Sequence, residues 1–240
     1  MTLNPLISCN NGFCISMQLR CDGRSDCEDN SDEIQCNVLN INSNSYSKDI
    51  SPPENNGEGL LDIDVKLDLK NIFKIDEVDR RLHVAFGLEL YWYDSRLTFN
   101  NLKQELNLNV LTSEQIQQIW IPQLIFVNTQ KESKTTIDEA TVRVYFDSNQ
   151  TYELAPMTSN ENIFLFKGSE HQLDITQHYD QEFVCDFHLE GYPFDVQECD
   201  LVIALSEVHD QFCRLVDRDI FYSGDVDLRT NYIRYVTLKN

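Results

Sequence analysis

Hydrophobic and polar residues alternate with a period of two along much of the chain. In the run 62–70, Ile63, Val65, Leu67 and Leu69 alternate with charged residues, as a half-buried strand requires. Leu82, Val84, Phe86, Leu88 and Leu90 keep the same step through the next run. Further strands are predicted within 161–166, 171–175, 182–189, 199–208 and 231–239. Two alternating runs flank Asp147, Ser148 and Asn149, which predicts a hairpin over 140–155. Only 111–120 reads as a helical turn, with Thr112 or Ser113 able to cap it. Many short strands, few helices and turn residues between them predict an all-β fold of the sandwich class.

The first 60 residues break this pattern. Five of the eight cysteines, Cys9, Cys14, Cys21, Cys27 and Cys36, crowd into one short block, a density that points to an oxidising compartment. Residues 37–60 are rich in Asn, Ser, Pro and Gly and read as a flexible linker. The opening Met1–Ser8 has no basic start and no long apolar run, so it is no signal peptide. An extracellular chain needs an export signal, and the chain is therefore expected to be cut at its start. The net charge is −21, from 19 basic and 40 acidic residues, which excludes a reader of nucleic-acid phosphates. No nucleophile–base set stands at motif spacing and no glycine-rich phosphate loop occurs, so no enzyme is expected.

The block 21–36 carries Asp22, Asp26, Asp32 and Glu33, with Glu28 and Asp29 between them. Calcium takes six to eight oxygen ligands, and a short cysteine-bounded loop can gather several carboxylates around one ion. Cys21-Asp22-Gly23, Asp26-Cys27, Ser31-Asp32-Glu33 and Cys36 resemble the LDL-receptor class A module. The resemblance covers residues 1–36. It implies a Ca²⁺ held by the side chains of Asp22, Asp26, Asp32 and Glu33 and the carbonyls of Leu19 and Arg24. It also implies the pairs Cys9–Cys27 and Cys21–Cys36, with the partner of Cys14 near or before Met1.

Cys185 and Cys199 bracket thirteen residues that include Phe187, Leu189, Tyr192, Pro193, Phe194 and Asp195. The spacing of apolar residues, the aromatic-Pro-aromatic-Asp run and the second cysteine resemble the Cys-loop family of pentameric ligand-gated ion channels. Trp92, Asp94, Arg96 and Leu97 agree with the family's second strand, and Trp120 and Pro122 with its Trp-x-Pro segment. The resemblance covers 61–240. It implies a twisted, immunoglobulin-like β-sandwich and a Cys185–Cys199 bond, worth about 3 kcal/mol of unfolded-state entropy for a loop of this length. It further implies that Tyr192, Pro193, Phe194 and Asp195 belong to a loop that rests on a membrane domain and transmits ligand binding to a gate. Residues 225–240 resemble the family's ninth strand, and a tenth strand and four membrane helices are expected beyond them. Cys14 and Cys213 fall outside the implied pairs.

The same resemblance locates a ligand-binding region around Phe86, Glu89, Phe126, Val127 and Ser206, shared between neighbouring subunits. Members that bind amines carry rings where this chain has Ser206, Val127 and Gly87. A cation over a ring gains about 0.5–2 kcal/mol, so their absence argues against an amine pocket. The expected stimulus is a small polar ligand, a proton or a metal ion, and the expected partners are other subunits of a pentamer, on the outer side of the plasma membrane. A soluble secreted binder on the same sandwich, or an accessory non-binding subunit, is the alternative. His171, His178 and His188 are candidates for zinc or proton sensing, or ordinary surface and core residues. Asn149-Gln150-Thr151 is the one glycosylation sequon.

Overall fold

The computed structural model describes residues 6–34, 36–42, 45–54, 59–129, 133–134, 140–147, 149, 153–154, 163–192 and 194–224. The fold is all-β, with sandwich-type sheets and an N-terminal disulfide-paired module. Fourteen strands are described: β1 (Leu6–Ser8), β2 (Cys14–Ser16), β3 (Leu39–Asn40), β4 (Leu61–Asp76), β5 (Arg81–Trp92), β6 (Thr98–Asn100), β7 (Leu124–Phe126), β8 (Ser133–Lys134), β9 (Thr141–Val144), β10 (Glu153–Leu154), β11 (Phe164–Lys167), β12 (Leu173–Val184), β13 (Ile203–Leu205) and β14 (Cys213–Tyr222). Two single-turn helices are α1 (Ser113–Ile116) and α2 (Glu207–Asp210). Among the described residues no helix is long and apolar enough to cross a membrane.

The chain divides into two compact units. The first holds residues 1–58, 92–120 and 141–174. Its sheet runs β10-β11-β6-β3, with Phe99 opposite both Phe166 and Leu39. Its core includes Trp92, Phe99, Trp120, Val142, Phe164 and Phe166, all buried. Gly168 belongs here by necessity: a Cβ on it would lie 2.1 Å from the Asp94 carbonyl oxygen. α1 starts where the sequence predicts. Thr112 caps it in a reciprocal box with Gln115, which satisfies two otherwise orphaned N–H groups.

The second unit holds 59–91, 121–140 and 175–240, with sheet neighbours β14-β4-β5-β12 and a smaller sheet β13-β7-β8. The period-two reading of β4 and β5 holds: Ile63, Leu67, Leu69, Leu82, Val84, Phe86, Leu88 and Leu90 are all buried. Leu67 faces Leu88, and Leu69 faces Phe86. Register shifts after Leu69 and Ile72 put β4 out of step, and Phe73 is left 52% exposed. A bulge adds one unpaired residue and flips the faces that follow.

Four expectations need correction. Among the described residues the runs over 140–155 form no hairpin with each other: β10 pairs with β11 instead. Beyond Val144 the Tyr145 N–H donates to Gln172 O and Phe146 lies against Phe166 and His171, so the chain follows the 164–173 region instead. Part of the expected linker is fixed structure. Leu39–Asn40 pairs with β6, and the Tyr46 hydroxyl bonds Asp94 and the Trp120 N–H. Of the runs 182–189 and 199–208, only residues up to Val184 and the three residues Ile203–Leu205 are strand. β14 was not predicted at all. It lies parallel to β4, Cys213 opposite Leu61 through Tyr222 opposite Leu69. The strand expected over 225–240 lies outside the described residues.

Candidate functional site

In the cysteine-rich module, Cys9–Cys27 and Cys21–Cys36 are bonded and Cys14 is an exposed free thiol. β1 and β2 form a hairpin, and a 3₁₀ turn, Met17–Leu19, leads into the acidic loop. The carboxylates fold that loop by accepting from its backbone. Glu33 takes the Asp22 and Gly23 N–H groups at 3.0 and 3.2 Å. Asp32 takes that of Asp26 at 2.7 Å, and Asp22 that of Arg24 at 2.9 Å. Asp32 is 1% exposed, and its Oδ1 is buried without a partner. Among the described residues no three or more His, Cys, Asp or Glu side chains converge as a metal group. The donors nevertheless fit calcium in kind, since all are oxygens. The orphaned Oδ1 is also the sort of atom that an ion satisfies.

Cys185–Cys199 is bonded. Inside the loop, the Gln197 side chain accepts from the His188 N–H and donates to the His188 carbonyl, both at 2.8 Å, and it also donates to Asp195. This clamp turns the apolar residues outward: Tyr192 is 69% and Phe194 93% exposed. Pro193 lies outside the described residues. At the base, Asn128 bonds both legs of the loop. Its side chain donates to Val184 O and Asp200 O at 3.0 and 2.7 Å and accepts the Val202 N–H at 2.9 Å. Arg80, in the β4–β5 turn, accepts the Cys185 N–H at 2.9 Å and pairs with Asp186. The sequence reading missed Asn128, Gln197 and Arg80, because a hydrogen-bonding bracket leaves no periodicity.

The expected ligand region separates into interior and surface. Phe86 and Phe126 are each 1% exposed and form a ring cluster with Tyr179 and Phe183. Burial raises the Tyr179 hydroxyl's pKa. These two phenylalanines hold the core. Glu89 faces outward, paired with Lys66 at 3.0 Å and bonded by the Tyr91 hydroxyl at 2.5 Å. Val127 is 40% exposed. Ser206 is buried at the cap position of α2, yet its Oγ caps nothing. Gly87 is covered: a Cβ there would meet Lys70 Cε at 3.3 Å and His178 Nδ1 at 3.4 Å.

His171 is 1% exposed and stacked on Phe146; burial lowers its pKa, so it is a core residue. His178 meets Lys70 Nζ at 3.3 Å, and His188 is exposed in the loop. Asn149 is exposed, its N–H on the Asp147 carboxylate; Gln150 and Thr151 lie outside the described residues.

The bonded, clamped Cys185–Cys199 loop on a β domain matches what comparison finds. The neurotransmitter-gated ion-channel ligand binding domain matches residues 36–216. The chain belongs to this family. As a ligand-binding domain it begins at 36, which accords with β3 and Tyr46 being part of the folded unit. The low-density lipoprotein receptor domain class A matches residues 6–36 ahead of it. Similar proteins include the rat gamma-aminobutyric acid receptor subunit rho-3, 26% identical over 144 residues, covering 59% of this chain and 29% of that protein. The acetylcholine receptor subunit delta of Xenopus laevis is 26% identical over 156 residues, 65% and 25% of the two chains. The human gamma-aminobutyric acid receptor subunit epsilon is 23% identical over 166 residues, 68% and 27%. The chain therefore spans under a third of the length of these relatives. The matched domain is a ligand-binding one, not a catalytic one.

Proposed function

We propose that the chain is the extracellular ligand-sensing part of a pentameric ligand-gated ion channel subunit, preceded by a module that binds one Ca²⁺. The observation that carries the reading is the family match combined with a braced loop whose Phe194 is 93% exposed. A bare ring on a loop braced by Asn128, Gln197 and Arg80 suits pressing on a neighbouring apolar surface. Such a loop can move as one piece with the strands that carry it.

The calcium part rests on the class A match and on the buried, unpartnered Asp32 Oδ1. Asp22, Asp26, Asp32 and Glu33 would hold the ion, with the Leu19 and Arg24 carbonyls. The ion would contribute charge neutralisation to a loop now organised by its own backbone N–H groups. For the stimulus, the residues favour a small polar ligand, a proton or a metal ion over an aromatic-caged amine. The region's own rings, Phe86 and Phe126, are committed to the core, and Ser206, Val127 and Gly87 offer none.

Voltage-clamp recording from cells expressing the full-length subunit tests this. Acetylcholine, serotonin and gamma-aminobutyric acid should evoke no current, while a screen of small polar ligands, pH steps or zinc should. A robust current with any of the three transmitters refutes the pocket reading. Silence under every stimulus refutes ligand sensing by the subunit alone and favours the accessory role, which co-expression with related subunits then tests.

A further inference from the structure

Lys103 is 2% exposed, a rare place for an ammonium. Its backbone is held rigidly. The Lys103 N–H donates to Asn109 Oδ1 at 2.8 Å, and Asn109 Nδ2 donates to Lys103 O at 2.9 Å and Val144 O at 3.2 Å. Asn109 is itself fully buried. From this bracket the side chain reaches into the cysteine-rich module and donates to the carbonyl of Met17, also buried. Beside it, the Gln104 N–H donates to Gln18 Oε1 at 3.4 Å. Met17 and Gln18 belong to the 3₁₀ turn that ends at Leu19, whose carbonyl is one of the proposed calcium ligands. Burial and then the nearby Arg20 disfavour the ammonium's charge, partly offset by the carboxylates of Asp22 and Glu33.

A module swinging on a flexible tether would leave Lys103 in water. Burying it costs free energy that its bond to Met17 and the surrounding packing must offset, and the module and this part of the β domain do fall within one compact unit. We propose that Lys103 plugs the cysteine-rich module onto the β domain, so that the two unfold together and calcium taken up by the module stabilises the β domain. The second clause rests on the calcium reading given above. Its physical basis is linkage: a ligand that binds only the folded state stabilises everything that unfolds with its site.

The chain's two tryptophans make the test direct. Trp92 and Trp120 both lie in the first unit, outside the module, and touch edge to face at 6.2 Å. Tryptophan-detected melting of the full chain should shift upward by about 5 °C or more at a calcium concentration about 100-fold above its Kd. Calorimetry on the same sample measures the binding. Binding without a shift overturns the coupling. In Lys103→Ala, calcium should still bind while the shift falls below half. If that variant does not fold, Lys103→Gln, one bond too short to reach the Met17 carbonyl, should behave the same way. A full shift in either variant overturns the role of Lys103. Lysine acylation read by mass spectrometry tests the plug without calcium. Lys103 should label at least about tenfold more slowly than Lys74, whose side chain is 65% exposed. Equal labelling overturns the docking. Absence of calcium binding would instead sink the calcium reading, and the labelling ratio would still decide whether the module is docked.

Discussion

The Tyr46 hydroxyl donates to the buried carboxylate of Asp94 at 2.9 Å and accepts the Trp120 N–H at 2.8 Å. One oxygen thus joins a segment of linker-like composition to both motifs that marked the β domain. Arg96 completes the group, bidentate on Asp94 and stacked 4.6 Å from the Tyr46 ring. Tyr46→Phe keeps the ring and removes the oxygen. It should destabilise the chain by about 1–3 kcal/mol, because two buried partners lose a bond. Urea unfolding followed by tryptophan fluorescence checks this, and an unchanged midpoint would show that the segment docks by ring packing alone.

Asp32→Ala should abolish calcium binding by the full chain, since it removes the one buried, unpartnered carboxylate oxygen of the loop. Asp29→Ala should leave the affinity within about threefold. Asp29 is engaged with Ser31, and those bonds hold its pKa low, but it lies outside the proposed ligand set. Calorimetry with calcium distinguishes the two; equal losses would mean that the loop's overall charge, not a defined cage, attracts the ion.

Lys103 predicts a pH dependence. Burial, and then the nearby Arg20, lower its pKa to about 8, partly offset by Asp22 and Glu33. The unfolded lysine titrates near its ordinary value of 10.5. Between these limits the unfolded chain binds more protons than the folded one, so this residue makes stability rise with pH across that window. Below about pH 8 the buried charge weighs against folding in full. The difference in unfolding free energy between the natural chain and Lys103→Met, followed from pH 7 to pH 10, should therefore change in the natural chain's favour as pH rises. A flat difference would mean that the ammonium is solvated.

Asn128 should govern the Cys185–Cys199 loop. Asn128→Ala removes three bonds to the two legs. It should cost about 1 kcal/mol, because the site is partly open to water. Hydrogen exchange at the Val202 N–H should accelerate by about tenfold, while that of Leu88 in the core of β5 stays unchanged. Matching acceleration at both sites would make Asn128 a general stability residue and not a loop bracket.

What the sequence disclosed follows from which forces leave a pattern. β4 and β5 were legible because one face of each is buried, and burial alternates with the pleat. α1 was legible because its cap is local, Thr112 with Gln115. β14 was not, because among the described residues it is an edge strand, and its residues are mostly half or fully exposed. It is held by cross-strand charges, Arg214 to Asp62 at 2.7 Å and Arg218 to Asp64 at 3.9 Å, with Arg218 also 4.0 Å over the Tyr91 ring. Charged edges discourage unwanted pairing, and for that reason carry no apolar alternation. The loop cysteines and the acids of the module were visible as motifs. The brackets at Asn128, Gln197, Arg80 and Lys103 were not: Asn128, Arg80 and Lys103 join residues far apart in sequence by a single polar group, and Gln197 bonds within its own loop at no regular spacing.

The pleat of β5 has an evolutionary corollary. Its even-numbered residues from Leu82 to Leu90 are sealed inside, whereas Arg81, His83, Ala85 and Glu89 lie partly open on the opposite side. Exchanges at Glu89 or His83 can thus redraw the chemical character of the outer surface at little thermodynamic penalty, while Phe86 or Leu88 stays under strict volume constraint. Descendants of one such strand can diverge in what they recognise and keep the same melting behaviour.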